Sequence, residues 1–364
     1  MKILFLTPYP EKEAPSQRFR FEQYLDFFEQ NGITCKIESF LNKKTWSVFY
    51  SPGNKFMKTW GVCMGITKRF LLLFKLHQYD LIFIHRETCF IGPAIFEKWY
   101  AHLSDKKIIY DFDDSIWLHD VSDANEKLGW LKSPSKTAHI IKYSGHVIAG
   151  NNYLASYAKK FNDNVSVIPT TIDTSYHHPF VHENKKGITI GWTGSETTVR
   201  HFELIIPILK RLKEKYDQKV NFLLISNKPS KTSDLEIEFI KWSKETEIEN
   251  LSKIDIGIMP LPDDMWAKGK CGFKGLQYMA LEIPAVMSPV GVNAEIIEDG
   301  VNGFIALDDV QWIEKLSKLI ESEELRKEIG RKGRETVIEK YSVESQKERY
   351  LEVFNKVFNL PKKL

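Results

Sequence analysis

The segment KGKCGFKGLQYMA, residues 268–280, concentrates cations and glycines in a pattern that suits a phosphorylated ligand. Read as a helix, it sets Gly269, Gly272 and Gly275 on a nearly bare stripe and places Lys270 and Lys274 four apart on one face. A glycine inside a helix costs about 1 kcal/mol relative to alanine, so this spacing needs a compensating gain. Close approach of a ligand, with the two ammonium groups on a diphosphate, supplies one. Tight helix–sheet packing supplies another. Phe273, Leu276 and Met279 read as core.

Two further turns suit the same ligand. In GWTGSETTVR, Gly191 and Gly194 let a ligand approach the backbone, while Ser195, Thr197 and Thr198 are capping types. In SPVGVNAEIIEDG, Gly291, Val292 and Asn293 precede a helix with Glu295 in its first turn. Free amides at such helix starts attract phosphate, although ordinary strand-to-helix turns look the same. Neither the dinucleotide G-x-G-x-x-G nor a Walker lysine motif is present. In the first half, YDFDDSIW carries Asp111, Asp113 and Asp114 just past an apolar run. Clustered carboxylates can orient sugar hydroxyls, act as a general base or hold a divalent metal, or they can cap the next helix. Arg18 and Arg20 in APSQRFRFEQY, and His85 and Arg86 in IFIHRE, are cations at equivalent loop positions. They suit phosphate or carboxylate, with simple solvation as the bland alternative.

The elements that must position these residues follow one rhythm, twice. KILFLTP reads as a buried strand and RFRFEQYLDFFEQNG as a helix with a glycine stop. YDLIFIHRE, KKIIYDFDD, GHVIAGN and VSVIPTTID follow as strands. After the polar stretch HHPFVHENKK the pattern restarts with the strand GITIGWTG, the helix VRHFELIIPILKRLKEKY and the strand VNFLLISN. IDIGIMPLP, IPAVMSP and GFIAL complete the series. Alternating strands and helices predict an α/β chain of two doubly wound domains joined near residues 177–187. Ligands of such sheets bind beyond the carboxyl ends of the strands, and a cleft between two domains is the natural place for an active site.

Composition agrees with a globular pair of domains: 364 residues, 43% apolar and 13% aromatic. The apolar run in MKILFLTPYP is too short for a signal peptide, and no stretch of about 20 apolar residues spans a membrane. Cys35, Cys63, Cys89 and Cys271 lack metal or redox spacing, which predicts reduced thiols in a cytoplasm. The net charge of +3 is uneven, because residues 36–75 hold eight basic side chains against Glu38 alone, interleaved with eight aromatics. That mix predicts contact with an anionic membrane, with a solvated basic helix face as the alternative. No nucleic-acid motif accompanies it.

Taken in order, these segments resemble the family 4 glycosyltransferases, retaining enzymes of the GT-B fold with two Rossmann-like domains facing each other across a cleft. The resemblance is strongest from Gly187 to Tyr341, through IGIMPLPDD, GLQYMALEIPAVMSPVGVNAEIIEDGVNGFIAL and RKGRETVIEKYS. VIAGNNYLASYAKKF and VIPTTIDTSY carry it in the first half. It implies an acceptor domain at 1–180, completed by a C-terminal helix at about 345–364, and a nucleotide-sugar donor domain at 187–342. The family's paired glutamates, eight positions apart, fall on Gly269 and Gln277 here. Gln277 retains hydrogen-bonding capacity for a ribose hydroxyl, whereas Gly269 retains none. The family's arginine after the first turn is also absent, which leaves Lys268, Lys270, Lys274 or Arg200 to neutralise diphosphate. Asp113 stands where a histidine often precedes aspartate. PLPDDMWAKGKCGFK, YDFDDSIW and SQRFR resemble a recurring bacterial branch of the family.

The resemblance implies transfer of a sugar from a UDP- or GDP-type donor to a hydroxyl of a glycan or lipid-linked acceptor, in bacterial surface polysaccharide or glycoconjugate assembly. The turn at Gly194–Ser195, Lys270, Lys274 and the amides near Val292 would stabilise the leaving diphosphate. Asp113 or Asp114 would position the donor sugar or accept the hydroxyl proton. Asp263 and Asp264 would hold donor-sugar hydroxyls in place of the missing first glutamate. GT-B enzymes as a group generally need no metal, so neither metal nor cofactor is implied. The alternatives are an inactive sugar-nucleotide-binding scaffold and an epimerase or hydrolase on the same fold. A dehydrogenase is disfavoured by the missing dinucleotide fingerprint. Charge and glycine are gained near the lost glutamates, which favours an active enzyme.

Overall fold

Strands buried on both faces need continuous apolar runs, and this chain supplies them: all five residues of LIFIH and all four of IGIM are buried. The computed structural model of the protein describes residues 1–51, 53–118, 133, 135–179, 187–231 and 234–360. It divides into one unit of Met1–Thr170 with Gln346–Leu364 and a second of Thr171–Ser345. Of the expected joint near 177–187, residues 180–186 lie outside the described residues, as do 361–364 of the expected last helix.

The first unit's strands are β1 (Lys2–Thr7), β2 (Thr34–Ser39), β3 (Leu81–His85), β4 (Lys107–Phe112), β5 (His146–Ala149) and β6 (Val165–Val167). They form a six-stranded sheet in the order β2-β1-β3-β4-β5-β6, and every pairing is parallel. The chain order reverses between β1 and β3, which makes their carboxyl ends the switch point. Phe5 stacks at 5.1 Å on Phe21 and meets Phe83 at 4.8 Å. The helix Val343–Phe358 closes this core, with Phe354 5.1 Å from Phe28 and Tyr350 4.7 Å from Tyr24.

The second unit carries β7 (Ile188–Gly194), β8 (Val220–Ser226), β9 (Glu238–Lys241), β10 (Ile256–Met259), β11 (Ala285–Met287) and β12 (Phe304–Ile305). Their order, β12-β11-β10-β7-β8-β9, is again all parallel. Its switch point lies between β7 and β10. Trp192, Phe202, Leu209, Ile256 and Leu316 belong to its core.

Two expectations fail locally, and two strands were not read from the sequence. The helix expected over RFRFEQYLDFFEQNG is broken into Pro15–Arg18, a 3-10 turn at Glu22–Tyr24 and Leu25–Gln30. The break turns Phe19, Arg20 and Phe21 inward, and all three are buried. The helix expected over VRHFELIIPILKRLKEKY splits into Val199–Glu203 and Ile206–Tyr216. Pro207 lacks the amide that would continue the first helix into the second. Strands β2 and β9 stand at sheet edges, where half-exposed sequences such as TCKIES and EFIK carry no continuous apolar run.

Candidate functional site

In the second unit the turn after β7 and the helix Phe273–Ala280 meet at Gly194. A Cβ there would stand 2.2 Å from Trp192 Cη2 and 2.8 Å from Lys274 Cε. The glycine therefore makes room for the lysine stem to cross the fully buried Trp192, whose ring centroid lies 5.1 Å from Lys274 Nζ. Tyr278 fixes the same helix: its ring lies against Gly257, and its hydroxyl accepts the Thr193 amide at 2.9 Å.

The single glycine-striped helix expected over 268–280 does not form. Asp264 caps the short helix Met265–Lys268, its Oδ1 accepting Ala267 N–H at 2.7 Å, and Gly269 ends that helix. Gly272 then turns left-handed at φ +68° and starts the helix Phe273–Ala280. A Cβ on Gly272 would sit 2.2 Å from Ile296 Cδ1, and one on Gly275 2.2 Å from Met287 Sδ. Turn geometry and tight packing thus account for these two glycines. Lys270 lies between the helices, not on one face with Lys274, and its Nζ is 5.1 Å from the Trp266 ring centroid.

Lys270 and Lys274 nevertheless converge, and what they converge on is His201. This histidine of the helix Val199–Glu203 is 3% exposed, and its Nδ1 has no hydrogen-bond partner. Burial, then Lys274, Lys270 and Arg200, push its pKa down to about 4, with Asp264 opposing. A buried imidazole, neutral near pH 7, thus lies within electrostatic reach of Lys274, Lys270, Arg200 and Asp264. Sequence reasoning missed His201, for which a lone histidine after a turn offers no signal.

The remaining second-unit candidates are more committed. Lys268 pairs with Asp263 at 3.0 Å on the exposed surface, and Asp264 is the helix cap described above. Ser195 Oγ is 3.1 Å from Thr197 Oγ1 in a 3-10 turn of three residues. Gly291, at φ +58°, leans on Lys268, whose carbonyl oxygen a Cβ would approach to 2.7 Å. Beyond it, the amides expected to be free are partly used. Asn293 N–H donates to Val290 O at 3.3 Å and Glu295 N–H to Val292 O at 2.9 Å. Val292 and Asn293 are buried, Glu295 is exposed, and Asn293 Oδ1 has no hydrogen-bond partner.

Gln277 is only 2% exposed. Its Nε2 lies 3.4 Å from His177 Nε2 and 3.5 Å from Glu247 Oε1, and the same Glu247 oxygen accepts Trp242 Nε1–H at 3.3 Å. A carboxylate from the helix Glu247–Leu251 therefore stands beside the amide at position 277. Sequence pattern could not show this, because the two residues are 30 positions apart.

In the first unit the parallel register sets His85 opposite Asp111. Arg20 donates to both Asp111 oxygens, Nε to Oδ2 at 3.4 Å and Nη2 to Oδ1, while its Nη1 reaches Ile168 O. His85 Nδ1 lies 2.7 Å from Asp111 Oδ2, and its Nε2 has no hydrogen-bond partner. Arg20 and His85 are thus not loop cations: they are 1% and 0% exposed, inside a three-membered ion cluster. Burial alone would raise the Asp111 pKa, but Arg20 and then His85 outweigh it and hold the carboxyl below its usual range. Arg18 places its guanidinium 4.9 Å from the Phe19 ring centroid.

Arg86 adopts φ +59°, a left-handed conformation uncommon without glycine. Its N–H donates to Asp111 O at 2.8 Å, and Tyr110 Oη–H donates to its carbonyl at 2.8 Å. That geometry aims Nε at Asp113 Oδ1, 2.7 Å away, and sets Nη2 3.8 Å from Asp114 Oδ2. Burial would raise the Asp113 pKa, but Arg86, then His85 and Arg20, bring it below the ordinary value. Asp114 Oδ1 accepts the Ser115 amide at 3.1 Å. Asp113 and Asp114 share Arg86 while Asp111 faces Arg20 and His85, and among the described residues no three His, Cys, Asp or Glu side chains form a metal-holding group.

Residues 187–322 match the family model described as Glycosyl transferases group 1. No curated protein sequence matches the chain. Among solved structures, a glycosyltransferase from Rickettsia africae is 14% identical, with 99% of each chain covered and a TM-score of 0.70. Sucrose-phosphate synthase from Thermosynechococcus elongatus is 11% identical, covering 98% of this chain and 99% of its own at 0.70. HepE from Anabaena, in complex with UDP and glucose, is 13% identical, with 98% and 99% covered at 0.67. The two parallel six-stranded sheets are those of the GT-B fold. Fold and matched segment together define an enzyme of the glycosyltransferase class.

Proposed function

We propose that the protein is a retaining glycosyltransferase of family 4 that moves a sugar from a nucleoside-diphosphate sugar to a hydroxyl of a glycan or lipid-linked acceptor. The pathway we infer is bacterial surface polysaccharide or glycoconjugate assembly. The observation that carries the donor class is Lys274 crossing Gly194 at the β7 carboxyl end, with Lys270 and Arg200 acting on the same buried His201. Cations at a switch point suit a diphosphate better than a neutral sugar.

In the step proposed, the bond from the anomeric carbon to the donor phosphate breaks and the diphosphate leaves with the electron pair. The acceptor oxygen bonds to that carbon and loses its proton. Lys270, Lys274 and Arg200 stabilise the charge that grows on the leaving group, the largest contribution such a site can make. Gln277 and Glu247 together hold ribose hydroxyls. Asp113, ionised and held by Arg86, is a weak proton acceptor, because its depressed pKa lowers its basicity. Its role is to orient a sugar hydroxyl, and we assign the acceptor's proton to Asp114 beside it. The transfer runs without a metal or cofactor, since arginine and histidine already occupy Asp111 and Arg86 holds Asp113. The enzyme is cytoplasmic and works peripherally on the inner face of the plasma membrane, where a lipid-linked acceptor is found.

UDP is the first donor base to test, given the UDP in the HepE structure. A thermal-shift screen against UDP, GDP, ADP and dTDP, with and without EDTA, tests the donor class. A ligand at about 100 times its dissociation constant stabilises by roughly 2.7 kcal/mol. The expected result is a shift with one diphosphate that Lys270→Ala and Lys274→Ala abolish, followed by acceptor-dependent turnover. Binding without turnover, with every acceptor class tried, would favour an inactive scaffold. That reading draws on Gly269, which ends a helix without a side chain where the resembling enzymes carry a glutamate.

A further inference from the structure

The helix Lys55–Leu72 packs the wrong way round for a core helix. Its buried positions are Gly61, Gly65, Arg69 and Leu72. A Cβ on Gly61 would meet the Thr45 side chain at 2.3 Å, and one on Gly65 the Phe40 ring at 2.8 Å. Two glycines thus lay the helix directly on its neighbours, and the bulky residues are left outside. Phe56 is 83% exposed, Trp60 61%, Leu71 53% and Phe74, just past the helix, 68%. Met57, Met64 and Phe70 are exposed as well. At about 100° per residue these side chains share one sector of roughly 140°, opposite the glycines.

The face is rigid. Arg69, 1% exposed, donates to Thr88 O at 2.8 Å, Thr7 O at 2.9 Å and Glu38 O at 3.0 Å, pinning the helix to the ends of β1 and β2. Phe70 lies edge-on to Phe74 at 5.9 Å and to Trp99 at 6.4 Å, which widens the apolar surface. No rotation that buried these rings would keep the Arg69 bonds.

The charge along this segment has one sign. From Ser39 to Tyr79 the sequence has no aspartate or glutamate and seven lysines and arginines. Lys55, Lys68 and Lys75 are exposed beside the apolar sector. Among the described residues no helix is long and apolar enough to cross a membrane. Exposed aromatic rings and aliphatic side chains flanked by lysines suit the interface of an anionic bilayer, where the apolar groups enter the headgroup boundary and the ammonium groups meet phosphate. A second copy of this chain fits less well, because pairing the face with itself would oppose like charges.

We propose that this face is the protein's docking surface for an anionic lipid bilayer. It gives the peripheral attachment proposed above a location but stands on this surface alone, so its failure would leave the transferase reading intact. The test is co-sedimentation of the full chain with vesicles of phosphatidylcholine and with vesicles of equal parts phosphatidylcholine and phosphatidylglycerol. Two variants are compared with the parent: Trp60→Ser with Leu71→Ser and Phe74→Ser, and Lys55→Glu with Lys68→Glu and Lys75→Glu. All six side chains are exposed, and circular dichroism melting verifies that both variants fold. The parent is expected to bind only the anionic vesicles, less so in high salt, with each variant weakened at least about tenfold. Three results would overturn the proposal: no binding by the parent, unchanged binding by both folded variants, or a dimer in solution that the Trp60→Ser variant dissociates.

Discussion

The carboxyl ends of the two sheets are built from similar residue types and solve opposite electrostatic problems. In the first unit every charged group at the β3 and β4 ends is met by its opposite: Arg20 by Asp111, Arg86 by Asp113 and Asp114. In the second unit, Lys274, Lys270 and Arg200 all act on one buried histidine and lower its pKa, with Asp264 acting the other way. The first is a scaffold whose charges neutralise one another inside the protein. The second brings three cations within reach of one neutral side chain, which is why we assign the anion to it.

The largest expected effect tests the first half of that contrast. Arg20→Met strands Asp111 in the core with only His85, and breaking a buried ion pair on one side costs roughly 3–5 kcal/mol. Urea unfolding should show this loss. A change below about 1 kcal/mol would mean that water reaches Asp111 and that the scaffold description is wrong. The second half predicts the reverse signature. Lys274→Ala should leave stability within about 1 kcal/mol, yet weaken diphosphate binding by about 1.5–3 kcal/mol, the worth of a charge-assisted contact. Titration calorimetry separates the two. If Lys274→Ala unfolded the protein and spared binding, the second site would be structural like the first.

A smaller effect is expected at Gly272. Alanine there must adopt φ near +68° and push against Ile296, which should destabilise by about 1–3 kcal/mol. Because Gly272 starts the helix bearing Lys274, diphosphate affinity should fall with stability. An alanine variant of parental stability would show that the turn can relax.

How much of this was legible before the structure depended on range. The strands ending in the candidate residues were readable because LIFIH, KIIYDF and IGIM are continuous apolar runs, and a parallel sheet buries both faces. Asp113 and Gly194 were found by their place after such runs. The glycine stripe misled, since three-residue spacing looks helical, and nothing in periodicity reveals that Gly272 is left-handed. Pro207 did announce a helix break that the apolar pattern around it concealed. The rest was tertiary. Arg20 and Asp111 are 91 positions apart, and only the break after Pro15–Arg18, which turns Arg20 inward, brings them into contact. Exposure of Phe56 and Trp60 followed from Gly61 and Gly65 lying on Thr45 and Phe40, contacts that composition cannot rank.

Acid pH sharpens the contrast between units most finely. His146 on β5 and His201 are both buried with pKa values near 4, against an ordinary 6.5. Burial is the main cause in both. Lys356 adds to it at His146, whose Nε2 lies 2.9 Å from Ser166 Oγ. At His201 the further causes are Lys274, Lys270 and Arg200, opposed by Asp264. Between the two values the unfolded chain binds protons that the folded chain does not, so stability is full above about pH 6.5 and falls as pH drops toward 4. At pH 5.5 each histidine should withdraw about 1 kcal/mol. Asp111 and Asp113, whose pKa values lie below 3.8, lose their contribution only at still lower pH. Diphosphate binding would neutralise the cations around His201 and leave Lys356 untouched. It should therefore raise the His201 pKa alone, by the part that the cations and not burial impose. Near pH 5.5 the parent should then take up more protons on binding than His201→Gln does, the diphosphate's own proton exchange being common to both. Calorimetry in buffers of different ionisation enthalpy measures that uptake. Equal proton exchange in the parent and in His201→Gln would place the anion away from the second unit's cations.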